Sequence, residues 1–251
     1  TGVDRVLQKY GPFLDAFPTV RDLASSSFEG VFSLWRGLGY NRRCRFLKRS
    51  AEIVMSAHGG RIPRNLDDLM ALPGAGRATA SALLSFAWGE PTVFVETNIR
   101  RVYLHFFFDG GGRDRDFDRV KVHDRELYPL VEETLDREDP RRFYYALMDY
   151  GDMLRRRFGA KNDRSVHYRK QPPFAGSDRQ VRGEILRLLL ERPGRAPEEI
   201  RRRVEATLAL PESDRKKAGE PVGNGRLDRI LRSLREEGLI VREGGRYRLG
   251  R

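Results

Sequence analysis

Residues 72–102, LPGAGRATASALLSFAWGEPTVFVETNIRRV, hold the side chains best placed to do chemistry. The first half is a Gly-Ala-Gly turn followed by small residues. The second is an acidic residue, Glu96, that closes an apolar run and leads into Asn98, Arg100 and Arg101. A carboxylate at the edge of a core is costly unless it is partnered. Held ionised beside a sugar, it can stabilise the positive charge that develops as a glycosidic bond breaks. It can also orient or deprotonate the attacking water. Taken alone, Glu96 reads more simply as the N-cap of a helix beginning near Thr97. Its place about twenty residues after the Gly-Ala-Gly turn favours the chemical reading.

The turn supplies the other half of that chemistry. Leu66 to Leu72 read as a short helix, Pro73 to Gly76 as a tight turn, and Arg77 to Trp88 as a second helix. Gly74 and Gly76 allow backbone conformations closed to other residues and let a phosphate approach. Free N–H groups at the start of the second helix, around Arg77 and Thr79, make an anion site. Ala78, Ala80, Ser81 and Ala82 keep that helix thin, so a partner can pack close. This is a helix-hairpin-helix pattern aimed at phosphate. The plainer alternative is an ordinary turn between two helices.

Up to about residue 170 the elements that must position these residues are helical. DRVLQKYGPFLDAF and RCRFLKRSAEIVMSAHG carry apolar residues at three- and four-residue spacing, and the second stops at Gly59-Gly60. NLDDLMAL opens on Asn65 as N-cap, with Asp68 in the capping-box position. LYPLVEETL and RRFYYALMDYGDMLRRRF predict two more helices. Trp35 and Trp88 fall on apolar helical faces and are expected to fill core. HFFFDGGGRDRDFDR (His105 to Arg119) reads as the end of a core helix followed by a flexible, charged loop. The helical pattern is already running by Val3 with no initiator methionine, so residues upstream of Thr1 are expected.

KQPPFAGS, Lys170 to Ser177, breaks the helical period and marks a boundary. The expected division is 1–170 for the first domain, 171–177 for a linker, and 178–251 for a second, small domain. The second contains DRQVRGEILRLLLER, APEEIRRRVEATL with Pro197 in its first turn, and GRLDRILRSLREEG stopped by Gly238. LIVREGGRYRLG then predicts a β-hairpin with Gly244-Gly245 at its turn. Three helices and a hairpin resemble a winged helix. From Asp178 onward there are 19 Lys and Arg against 13 Asp and Glu, which favours DNA binding over protein contacts. Arg226 to Glu237 would be the reading helix, with Arg246 or Arg248 on the wing.

Composition agrees with a polyanionic partner. The 251 residues carry a net charge of +12 and a pI near 10.2, mostly from arginine, whose planar fork suits phosphate. An arginine-rich but merely soluble surface is the alternative. The single cysteine, Cys44, excludes an internal disulfide and a cysteine-built zinc or iron–sulfur site within this chain. No stretch is long and apolar enough for a membrane span, and no signal peptide is visible. His58, His105, His123 and His167 show no metal spacing. The expected setting is cytoplasmic and nucleoid-associated, without membrane partners.

FPTVRDLA, LWRGLGYNRRCRFLKRSAEIV, GGRIPRNLDDLMALPGAGRATASALLSFAWGEP, VETNIRRV and ALMDYGDM together resemble the helix-hairpin-helix (HhH-GPD) superfamily of base-excision DNA glycosylases. The resemblance is closest to the MutY-like adenine and mismatch branch. It implies a mainly α, two-lobed fold, here followed by the small winged helix, with DNA bent across a cleft and the target base flipped out. Glu96 falls where the family carries its catalytic carboxylate, normally aspartate. Ala78 falls where bifunctional relatives carry a Schiff-base lysine, so strand-nicking lyase chemistry is not expected. Tyr40, in GLGYN, matches a side chain that wedges into the base stack, with Asn41 beside it. Gly74, Gly76, Arg77 and Thr79 would grip phosphate, and Asn98 and Arg100 would buttress the carboxylate or contact phosphate.

Four departures shape these expectations. Glutamate replaces aspartate. The cluster cysteines that follow DYG are absent: Arg155 stands in the first position, and a basic loop to Lys170 would dock DNA by charge. The family's acidic adenine contact would lie upstream of Thr1. A winged helix stands where adenine glycosylases that act opposite 8-oxoguanine carry another recognition domain. The expectation is therefore a monomeric, monofunctional DNA glycosylase acting on double-stranded DNA with a damaged or mispaired base. Adenine in a purine mispair is favoured over uracil, thymine or an oxidised pyrimidine, and a non-catalytic damage-binding protein is the alternative. No cofactor is expected beyond a monovalent cation at the helix-hairpin-helix turn.

Overall fold

The computed structural model describes residues 2–108, 121–159, 162–169, 171–208 and 223–250. The chain divides into two compact units, residues 1–62, 72–74 and 172–251 in one and residues 63–71 and 75–171 in the other.

The first unit opens with four helices, α1 (Val3–Ala16), α2 (Val20–Ser25), α3 (Phe28–Trp35) and α4 (Asn41–Ala57). Local sequence sets their starts. Thr19 and Asp22 form a capping box on α2, and the Ser27 hydroxyl accepts from Gly30 N at 3.1 Å on α3. Between α3 and α4 the chain reverses through Gly37, Gly39 and Tyr40, all with positive φ. Tyr40 is the only non-glycine with positive φ among the described residues, at +47°.

The second unit runs from α5 (Leu66–Ala71) and α6 (Arg77–Trp88) to α7 (Thr97–Tyr103), which continues as a short π-helix, Leu104–Phe108. It closes with α8 (Asp124–Thr134) and α9 (Pro140–Phe158). Asn65 caps α5 as its sequence requires: Asp68 N donates to Asn65 Oδ1 at 2.9 Å, and Asn65 Nδ2 donates to Asp68 Oδ2 at 2.7 Å. Phe94, Ile99, Tyr103, Leu127, Val131 and Tyr144 form the core. Tyr144 is fully buried, and its hydroxyl donates to Thr92 O at 2.7 Å. Burial pushes that hydroxyl's pKa up to about 12.

The chain then re-enters the first unit through α10 (Asp178–Glu191), α11 (Pro197–Leu208), α12 (Asn224–Glu236) and an antiparallel hairpin, β1 (Ile240–Glu243) and β2 (Arg246–Leu249). Ile240 pairs with Leu249 and Glu243 with Arg246, and Gly244 and Gly245 turn with φ of +54° and +77°. These are the backbone angles a two-residue hairpin of this hand needs. Val181, Ile185, Leu189, Leu231 and Leu234 share one buried cluster with Phe28, Phe32 and Cys44. The compact units thus differ from a simple cut at 171–177, because residues 172–251 and the first four helices bury a common core. Burial pushes the Cys44 thiol up to about 12, against the pull of Arg45, so it is an inert packing group.

Two segments direct their side chains differently from the plain periodic expectation. The residues after Leu104 are only partly core: Leu104 is buried and Phe108 packs against the core cluster, but Phe106 and Phe107 are exposed. A π-helix turns its side chains through a different angle from the α-helical period. The charged segment expected after it lies outside the described residues from 109 to 120. On the expected reading helix and wing, Arg226, Arg246 and Arg248 are held by partners within the unit. Arg226 Nε donates to Asp178 Oδ1 at 2.9 Å and Arg226 Nη2 to Gly176 O at 2.6 Å. Arg246 donates to Gly194 O at 2.9 Å, and Arg248 pairs with Glu243. Arg229, Arg232 and Arg235 are exposed on α12, and Arg229 pairs with Asp178.

Candidate active site

Glu96 occupies the N-cap of α7 with an extended backbone, φ −124° and ψ −178°. The preceding residues, Phe94 and Val95, are buried and anchor the approach to the cap. Glu96 Oε1 accepts from the backbone N–H groups of Asn98 at 2.7 Å and Ile99 at 3.1 Å. Both capping bonds fall on one oxygen. Oε2 carries no hydrogen bond to the described residues. The cap and the chemical reading are thus compatible: the two capping bonds fix the direction of the carboxylate.

Beside it lies a buried cation, Arg101, to which the sequence assigned no role of its own. Arg101 is 3% exposed, and its Nη1 donates to Asn98 Oδ1 at 2.6 Å and to Gly151 O at 2.8 Å. Burial lowers the guanidinium pKa and Arg155 adds to this, while Glu96 and Asp152 act in the opposite direction. Arg101 therefore ties α7 to α9 and sits electrostatically coupled to the candidate carboxylate. Its signal in the sequence was position, since Asn98 and Arg101 are three apart and share a helical face.

Arg100 points elsewhere. Its Nε and Nη2 donate to the two Asp124 oxygens at 2.6 and 2.7 Å, a bidentate pair at the start of α8. Arg101, not Arg100, is the side chain joined to Asn98. His167 Nε2 stands 4.0 Å from Asp124 Oδ2, and the His123 and His167 rings meet edge-on at 6.0 Å. Among the described residues no group of three or more His, Cys, Asp or Glu side chains is arranged to hold a metal ion.

The segment expected to replace a cluster loop is tied to these elements by hydrogen bonds. Asn162 Nδ2 donates to Thr97 O at 3.1 Å, Arg164 donates to Phe108 O, and Val122 N donates to Arg164 O at 2.8 Å. Arg155 and Arg156 both pair with Asp152. Residues 160, 161 and 170 of that segment lie outside the described residues.

The Gly-Ala-Gly turn separates into two kinds of glycine. Gly74 has φ +78°, and a β-carbon there would stand 3.0 Å from Phe46 Cγ and closer still to Cδ2. Gly76 has an ordinary φ of −72° and open space around it. It caps α6 without a side chain, so no side chain occupies the first-turn N–H groups. Arg77, Ala78 and Thr79 are exposed there, while Ala80 and Ser81 are buried. Arg77 also lines a shallow pocket of about 420 Å³ with Val93, Arg125, Tyr128 and Glu132.

Tyr40 and Asn41 belong to the first unit. Tyr40 precedes α4 and is 59% exposed, and its carbonyl accepts from Arg43 N at 2.7 Å. Asn41 is the first residue of α4 and is half-buried.

Residues 1–120 match the family described as HhH-GPD superfamily base excision DNA repair protein. A human protein described as adenine DNA glycosylase is 37% identical over 152 residues, covering 60% of this chain and 27% of that protein. One of the same description from Mycolicibacterium smegmatis is 32% identical over 208 residues, covering 75% of this chain and 67% of its own length. The chain spans only about a quarter of the human relative. Among solved structures, a thermostable thymine-DNA glycosylase superposes with a TM-score of 0.53 at 24% identity, covering 66% of this chain and 74% of that one. That level of identity carries the fold and nothing finer. With the helix-hairpin-helix turn, the capped carboxylate and the extent of the M. smegmatis match, the chain belongs to the HhH-GPD superfamily of base excision DNA repair proteins.

Proposed function

We propose that the protein is a monofunctional DNA glycosylase that flips a mispaired or damaged base from duplex DNA and hydrolyses its N-glycosidic bond, with adenine in a purine mispair as the favoured target. The observation that carries this reading is the Glu96 carboxylate, pinned at a helix N-terminus by Oε1 with Oε2 unengaged among the described residues. As the bond between base nitrogen and C1′ breaks, the bonding electrons leave with the base and positive charge builds on the sugar. Glu96 stabilises that charge and accepts the proton of the water whose oxygen bonds to C1′. The exposed turn at Gly74, Gly76, Arg77 and Thr79 holds backbone phosphate, and a monovalent cation at that turn belongs to the same reading. Tyr40 and Asn41 support the stack from which the base is drawn. Ala78 carries no amine, which supports hydrolysis without a Schiff base.

The test is single-turnover excision on duplexes with and without alkali, comparing wild type with Glu96→Gln. The duplexes hold adenine opposite 8-oxoguanine or guanine, and uracil, thymine or 5-hydroxyuracil opposite guanine. Alkali-dependent cleavage of one duplex, lost in Glu96→Gln while DNA affinity is kept, is the expected result. A second reading rests on the cap itself: if Glu96 only starts α7, the protein binds damaged DNA without excising. Tight binding with no excision on any duplex would favour that reading.

A further inference from the structure

The π-helix and the second half of α9 present a continuous ribbon of aromatic rings that the catalytic reading leaves without a task. Tyr150 and Phe106 lie 5.7 Å apart, Phe106 and His105 5.0 Å, and His105 and Phe158 6.1 Å, measured between ring centroids. Arg157 closes the ribbon, its guanidinium 5.4 Å from the Phe158 ring centre. These rings are not core. Phe106 is 59% exposed, Phe158 52% and Tyr150 39%. A contiguous exposed apolar surface of this kind marks a contact site.

We propose that this ribbon binds unstacked nucleobases of single-stranded DNA. Three observations favour that occupant over another protein surface. The exposed groups are flat rings, where an aliphatic docking groove would present Leu, Ile or Met. The outward surfaces of the exposed rings offer stacking area to a base, a mode that tolerates any sequence because every base has a π-face. At one end stand Arg155, Arg156 and Arg157. Asp152 partners the first two, and Arg157 has no carboxylate partner among the described residues, so the end of the ribbon is complementary to phosphate. The ribbon rests on the glycosylase reading for its purpose: α7 and the π-helix are continuous, which places Phe106 about 15 Å along the axis from Glu96. A strand opened around an extruded base has unpaired bases to offer there.

The test is fluorescence anisotropy of a short labelled oligothymidylate and of an undamaged duplex, using the full chain. Phe106→Ala/Tyr150→Ala is expected to weaken oligothymidylate binding about 10- to 100-fold and leave duplex binding within twofold. Phe106→Trp is expected to bind as wild type or better. Phe158→Ala alone is the second variant, should the double variant fold poorly, and is expected to lose about tenfold. Unchanged oligothymidylate affinity in both alanine variants would overturn the proposal. So would a wild-type dimer that the double variant converts to monomer, since a second copy would then cover the rings. The readout needs no base excision. Ribbon-dependent binding without excision would therefore count against the glycosylase reading alone, and excision with ribbon-independent binding against this one alone.

Discussion

A β-carbon on residue 151 would stand 2.7 Å from the Asn98 β-carbon and closer still to the Asn98 carbonyl oxygen. The glycine in the DYGD segment of α9 therefore lets the first turn of α7, and with it the Glu96 cap, lie directly against the α9 backbone. The neighbour is main chain at a helix start, which cannot swing aside. Gly151→Ala is expected to destabilise the protein by about 1–3 kcal/mol, read as a fall in thermal midpoint of about 2–4 °C per kcal/mol. Excision should fall further than stability does, because the shift displaces α7 itself.

The Arg101 guanidinium bridges that same contact. Arg101→Met would leave Asn98 Oδ1 and Gly151 O without their buried donor, a cost of about 1–3 kcal/mol for each group. It would also remove the positive charge coupled to Glu96. The expected outcome is lower thermal stability together with an excision rate that falls more than DNA affinity. Equal effects from Arg100→Met would show that Arg101 has no special relation to the carboxylate.

The two turn glycines should part company. Gly74→Ala meets both a positive φ and the Phe46 ring, and is expected to cost about 1–3 kcal/mol. Gly76→Ala has neither obstacle and should leave thermal unfolding nearly unchanged. If the turn holds phosphate through its backbone, Gly76→Ala should still weaken duplex binding, because the added methyl stands at the exposed start of α6.

Acid should loosen the first unit. For Glu184, the Arg187 hydrogen bond outweighs burial and holds the carboxyl below its usual range. At Asp178 burial pulls upward, but Arg226 and Arg229 together prevail and lower the pKa. A carboxyl whose pKa is depressed by folding binds its proton more readily in the unfolded chain, so stability rises with pH across that window. The stabilisation is complete above the ordinary values of 4.5 and 3.8 and is lost as pH falls through the depressed ones. Chemical denaturation between about pH 2 and pH 5 should show this slope, and Asp178→Asn should flatten it.

Much of this protein was determined by local sequence alone. The boundaries of α5 and α6, the Asn65 cap, the Gly244-Gly245 hairpin and the three helices before it follow from apolar period, capping residues and glycine. Each of these acts within a few positions of itself, and so leaves a readable pattern. The candidate carboxylate was legible too, including its capping role, because an acidic residue at the end of an apolar run has few places to go. What only tertiary structure decided were the pairings across distance. Arg101 and not Arg100 joins Asn98, since the choice depends on which face of α7 meets α9 at Gly151 and which meets Asp124. Arg226 turns to Asp178, 48 positions away, and Phe106 turns outward on a π-turn that no period announces. Charge and aromaticity state what a residue can do. Packing decides which neighbour it does it with, and that depends on contacts between segments that one-dimensional spacing does not encode.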